Sequence, residues 1–186
     1  MRASGTLRAG LALAVALVAV PAAGRAEGAP PAITPASVLD QINVHRERSG
    51  LPPLREDFRL RHAAEDRMRD MIELAYWGHR SPEGHSPFVW MRHRGYRHER
   101  AGENLAVGFE TPELLVSSWM ESEGHRENIL GGEYVDCGIA VIEGSTTRRT
   151  SGTSVVVIFG RERIADPITR RASTDRSRET SEPDRR

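Results

Sequence analysis

The 186 residues contain a single cysteine, Cys137, so no intramolecular disulfide can form and the fold has to rest on its packed core. An excess of charge of one sign is also missing. The 26 Lys and Arg balance the 26 Asp and Glu, and the arginines are interleaved with acids almost everywhere. Binding to nucleic acid draws on a clustered cationic surface, so that class is excluded. The longest apolar run, Leu11 to Val20, is well short of the roughly 20 residues of a membrane-spanning helix. Several enzyme signatures are absent too. The sequence has no H-E-x-x-H, no G-x-S-x-G and no phosphate-binding glycine loop. His125-Arg126-Glu127 resembles the start of a zinc deaminase motif but lacks the Pro-Cys-x-x-Cys that must follow.

What is present begins with Arg2 and Arg8 ahead of the apolar run, then Pro21 and small residues through Ala26, the layout of a secretory signal peptide. Cleavage after Ala22 or Ala26 fits equally. The expected organisation is a signal peptide over residues 1–26, a Pro- and Ala-rich linker over 27–35, one domain over 36–164 and a disordered tail over 165–186. The tail alternates Arg, Ser and Thr with acids and has almost nothing to bury. The protein is therefore expected to be secreted or periplasmic, with no stable membrane span after the signal is removed.

Thr34 followed by Pro35 predicts a capped helix to Arg48, with Val38, Ile42 and His45 on its core face. Leu51-Pro52-Pro53-Leu54 breaks it. Asp57 then caps a second helix in which Leu60, Ala64, Met68 (or Arg67), Met71 and Ala75 recur at helical spacing. A Gly-, Pro- and His-rich loop follows, then a short helix from Ser86 through Met91 to Gly95. Tyr96 to Arg100 reads as a solvent-facing connection, and Glu103 to Val107 as an edge strand or a single turn. Thr111-Pro112 caps a helix carrying Leu115 and Trp119. Tyr134 to Glu143 alternates as a strand with one face in the core, with Cys137 on that face. Gly144 to Gly152 is a hairpin-like loop, and Ser154 to Phe159 a central strand buried on both faces.

Cys137 on an apolar face reads as an inert core thiol rather than a nucleophile. His45, His62, His93 and His98 sit among charged neighbours as surface or packing residues, while His85 could assist a site in its loop. His79, Glu103 and His125 stand apart, each at an element junction beside glycine. His125 is placed between a helix and a strand. Two imidazoles and a carboxylate could hold Zn²⁺ or another divalent metal, with Glu121 and Glu123 as flanking acids for a fourth position.

These residues also carry an ordered pattern. His79 ends a helix; Gly102-Glu103-Asn104-Leu105-Ala106 follows; then come Trp119-Met120-x-Ser122-x-Gly124-His125-Arg126-x-Asn128-Ile129-Leu130, Tyr134 and Gly138. The pattern resembles the superfamily of cysteine-rich secretory proteins, antigen 5 and pathogenesis-related 1 proteins, in its bacterial SCP-like branch, from about Val38 to Phe159. The resemblance implies an α+β fold, a three-layer α-β-α sandwich with a small, mainly antiparallel sheet. It also implies a cavity lined by two histidines and two acids. His79, Glu103 and His125 match three of these; the fourth position, three residues after the Trp, is Ser122 where relatives place Glu.

The expectation that follows is a non-enzymatic binding module whose cavity, at His79, Glu103 and His125, takes a divalent metal, a lipid or another small ligand. The alternative is a metal-dependent hydrolase acting on peptide or cell-envelope material. A third reading has the polar cluster simply tying loops to the sheet by hydrogen bonds.

Overall fold

The computed structural model describes residues 31–144 and 152–164. The first helix, α1 (Pro35–Arg48), starts where Thr34 and Pro35 place it. The Thr34 side chain accepts from Ser37 N, and Ser37 returns the bond to the Thr34 backbone, closing a capping box. β1 (Arg55–Glu56) is only two residues long. The Asp57 side chain then caps α2 (Phe58–Glu73) by accepting from Arg59 N and Leu60 N. After a loop and α3 (Phe88–His93) come β2 (His98–Phe109), α4 (Pro112–Glu121), α5 (Glu123–Leu130), β3 (Asp136–Ile142) and β4 (Thr153–Glu162).

The sheet runs β1-β3-β4-β2, with β1 parallel to β3 and the other pairs antiparallel. Alternation along the central strand splits the core into two layers. Val155, Val157 and Phe159 pack with Val38, Ile42, Leu115, Trp119 and Ile129, from α1, α4 and α5. Val156 and Ile158 pack on the opposite face with Leu60, Ala64, Met68, Met71 and Met91, from α2 and α3. The result is a three-layer α-β-α sandwich. α2 lies against the sheet at Gly138, where an added Cβ would come within 2.0 Å of the Leu60 carbonyl carbon.

Five expectations are corrected. Residues 124–130 do not join a helix to a strand; they are α5, and His125 sits in its first turn. Tyr96 to Arg100 is not a solvent-facing connection, because Tyr96 is fully buried and β2 already begins at His98. The core face of α1 carries Arg46 in place of His45, and the exposed Ala75 lies beyond the end of α2. β3 is buried on both faces over Cys137 to Ala140, not on one. The signal peptide, the first part of the linker, residues 145–151 of the hairpin-like loop and the tail lie outside the described residues.

Candidate functional site

The site forms around the outer edge of β2. Odd and even residues of an edge strand address opposite helical layers, and this strand uses both. Gly102, Asn104 and Ala106 face the α4 and α5 layer, whereas Glu103 and Leu105 face α2 and α3.

On the α2 side, Glu103 is 5% exposed and its carboxylate is fully engaged. Oε2 accepts from Arg67 Nε at 3.0 Å, and Oε1 meets His79 Nδ1 at 2.8 Å. Arg67, on the core face of α2, is itself fully buried. It donates to the Tyr76 hydroxyl and the Gly78 carbonyl, and its guanidinium lies 4.9 Å from the Trp90 ring centre. Tyr76 in turn bonds Asp70. Burial and that bond push the Tyr76 phenol up to about 12, so it stays a donor throughout the ordinary pH range. The chain Tyr76, Arg67, Glu103 thus ends on one imidazole. Arg67 also anchors the turn at Gly78, which fixes where His79 emerges.

On the other side, Trp119 Nε1 donates to the Leu105 carbonyl and fixes α4 against β2. Ser122 ends α4 and opens α5, and its hydroxyl bonds His125 Nδ1 at 2.9 Å instead of capping the helix. Asn104 Nδ2 donates to the His125 carbonyl; Asn128 Nδ2 donates to Asn104 Oδ1 and the Glu103 carbonyl. Asn128 therefore occupies backbone that an edge strand would otherwise expose. Gly102 is required here, since a Cβ would stand 2.5 Å from Asn128 Oδ1.

The two imidazoles face one another across an open cleft of about 550 Å³, with ring centres 6.5 Å apart. Phe88, Pro87, Ser86, Arg80 and Asn128 complete its walls. The rings differ electrically. The bond to Glu103 raises His79 above its ordinary value, against the pull of desolvation. His125 is lowered by burial, and further by His79. The cleft thus sets a ring whose protonation is favoured by a carboxylate opposite one whose protonation is disfavoured by burial.

His79, Glu103 and His125 thus meet around one cleft. Among the described residues, however, no three His, Cys, Asp or Glu side chains form a group that could hold one ion. Glu103 is spent on Arg67 and on His79 Nδ1, so its position is that of a carboxylate orienting a histidine from behind. Ser122, at the fourth position, supplies a hydroxyl already bonded to His125. What remains for an ion is a pair of imidazoles without a closing anion, which fits a weak, water-completed site and not a tight one. Glu121 and Glu123 are exposed and line no part of the cleft, and His85 leans toward Glu83 at 3.6 Å.

Arg67, Asn104 and Asn128, which the sequence places on a helical stripe and in the motif pattern, prove to be site residues as well. Arg67 had a visible signal, a cation on the apolar stripe of α2, and such a group requires a buried acceptor.

The family model for the cysteine-rich secretory protein family (CAP) matches residues 39–159. The chain belongs to this family. CAP relatives among curated proteins include YkwD of Bacillus subtilis, 41% identical over 106 residues, which are 57% of this chain and 41% of that protein. A second is the Bacillus subtilis membrane protein YlbC, 32% identical over 56% of this chain and 30% of that protein. The chain spans less than half the length of either relative. Among solved structures, an extracellular SCP-domain protein of Bacillus anthracis superposes with a TM-score of 0.58 at 24% identity, over 69% of this chain and 40% of that one. An outer surface protein of Borrelia burgdorferi gives 0.58 at 21%, over 68% and 90%. These similarities establish the CAP fold. The two structural neighbours are extracellular or surface proteins by description, and among the described residues no helix is long and apolar enough to cross a membrane.

Proposed function

We propose that this CAP domain is an exported, non-enzymatic binding module that takes a small ligand in the cleft between His79 and His125. The observation carrying this reading is the buried Arg67 and Glu103 pair ending on a half-exposed imidazole. A buried ion pair is weak evidence for stability, since apolar residues of similar volume would serve as well. Its effect here is to fix one ring by its Nδ1, favour protonation of that ring and aim it at a second ring whose protonation burial disfavours. Phe88 and Pro87 add an apolar wall beside Ser122 and Asn128, so the fitting ligand, a free molecule or a lipid headgroup, offers polar groups on one side.

A divalent cation such as Zn²⁺ belongs to the same reading as a weak ligand, held by the two imidazoles with Glu103 behind His79. Calorimetric titration of the protein with Zn²⁺, beside His79→Ala and His125→Ala, tests this. Heats lost in both variants support the cation site; equal heats in all three overturn it. For organic ligands, ¹⁵N-histidine spectra are followed while acetate, phosphate and phosphocholine are added separately. Saturable shifts confined to His79 and His125 support a ligand cleft, and no saturable shift with any of them removes it. Export is tested by placing residues 1–30 ahead of a reporter enzyme that is active only outside the cytoplasm.

A further inference from the structure

At the end of the sandwich where β2 begins and β4 finishes, the fold gathers charge that the sequence disperses. Residues 57–59, 92–100 and 161–164 hold seven arginines and three acids. Backbone and side-chain contacts bring these segments together. Arg163 N donates to the Arg97 carbonyl at 2.7 Å, His98 pairs with Glu162 across the sheet, and Arg59 bonds Glu162 from the first turn of α2. α3 ends beside them. Burial lowers the His98 imidazole, and Arg92 and Arg163 lower it further, which places both cations near that ring.

Pairing then sorts these charges. Arg59 spans Asp57 and Glu162, and Arg94 is held by Asp66 at 2.6 Å. Among the described residues, Arg92, Arg97 and Arg163 form no ion pair, and all three are exposed. The two large apolar side chains with the greatest exposure among the described residues are here too. Ile164, which follows Arg163, is 86% exposed; Phe58 is 63% exposed, with its ring centre 6.0 Å from Arg59 Cζ. One exposed apolar residue needs no explanation. Two of them beside three unpaired cations make a surface that is positive and apolar at once.

We infer that this end of the domain docks on an anionic lipid bilayer through Arg92, Arg97, Arg163, Phe58 and Ile164. The arginines meet lipid phosphates, and the two apolar side chains enter between the headgroups. Charge complementarity selects an anionic partner, and the apolar pair selects a bilayer among anionic partners. Charge and apolarity sit here on separate single side chains, which a fluid surface can rearrange around. A folded protein would need a matched pocket for each. Every arginine near such a surface contributes about fivefold to binding at low salt, so the contact is peripheral and reversible.

The full chain is mixed with vesicles of equal parts phosphatidylglycerol and phosphatidylcholine, or of phosphatidylcholine alone, and the bound fraction is read by sedimentation. Binding to the anionic vesicles is expected to be at least tenfold tighter at low salt and to weaken as salt rises. Arg92→Glu combined with Arg97→Glu and Arg163→Glu weakens it at least tenfold, and Phe58→Ser about threefold. All four positions are exposed, so both variants keep a melting temperature near that of the parent. Residues 1–30 and 165–186 are the same in every variant, so a difference between variants reports on this end alone. The proposal falls if the parent binds both vesicles alike, or if the arginine variant binds anionic vesicles as well as the parent does. It falls equally if soluble polyglutamate binds the parent as tightly as vesicles do and Phe58→Ser leaves that affinity unchanged, because an acidic protein is then the partner. Vesicle binding lost in His79→Ala with His125→Ala, but kept in the arginine variant, moves the lipid to the cleft and overturns it as well.

Discussion

Arg67 Nε and Glu103 Oε2 meet at 3.0 Å with side chains 0% and 2% exposed, a charge pair fully removed from water at the root of the cleft. Taking away one partner leaves the other charge buried and uncompensated. Glu103→Ala is therefore expected to cost about 3–5 kcal/mol. At roughly 2–4 °C per kcal/mol for a domain of this size, calorimetry should show a large fall in melting temperature. Arg67→Met with Glu103→Leu is expected to recover most of that loss and to leave the His79 ring without its orienting acceptor. A double variant as unstable as the single one would show that the pair is kept for stability alone.

Stability should depend on pH through both imidazoles, in opposite senses. His79 has a raised folded value, chiefly from its bond to Glu103, so its contribution is complete below 6.5 and fades as pH rises through that raised value. His125 has a lowered folded value from burial, so its contribution is complete above 6.5 and is lost as pH falls through the lowered value. Denaturant midpoints measured across this range should show His79→Ala flattening the alkaline limb and His125→Ala the acid limb. Unchanged limbs in both variants would contradict the assignment.

Gly138→Ala should destabilise strongly, by about 3 kcal/mol or more, because relief requires α2 to shift as a body and overpacking a fixed contact is costly. The added carbon would meet Leu60 and Arg61 backbone, at 2.0 and 2.1 Å, with no flexible side chain to yield. Poor soluble yield, or a melting temperature lowered by roughly 6 °C or more, checks it.

Cys137 is fully buried, and burial pushes its thiol up to about 12. A thiol reagent at neutral pH should therefore modify the unfolded chain rapidly and the native protein only as fast as it opens. Rapid stoichiometric labelling of native protein would refute the buried placement.

Much of the fold was legible because its boundaries are written locally. Thr34 with Pro35, Asp57, and Thr111 with Pro112 each carry a cap within a few residues, and all three helices start there. Ser154 to Phe159 announced a central strand by its unbroken β-branched run, and the structure places it between two neighbours. Two buried charged side chains were harder to read. Arg46 donates to the carbonyls of Pro52, Ile129, Gly131 and Tyr134, joining α1 to the end of α5. Three of those acceptors are more than 80 residues away in sequence, and nothing near Arg46 reveals them. The same holds for Glu103. Its glycine neighbour, Gly102, marked a special backbone, but its commitment to Arg67 depends on α2 crossing β2. The helix at residues 123–130 escaped notice because Gly124 near its start and the polar run after it give no apolar stripe.

His79 is delivered by the chain leaving α2, and His125 by the first turn of α5, so the two rings come from layers packed on opposite faces of the sheet. A ligand gripping both would act as a clasp around the rim of β2. Its binding energy would add to the resistance of the sandwich to prying apart, and occupancy would be readable far from the cleft as slower opening of the layers.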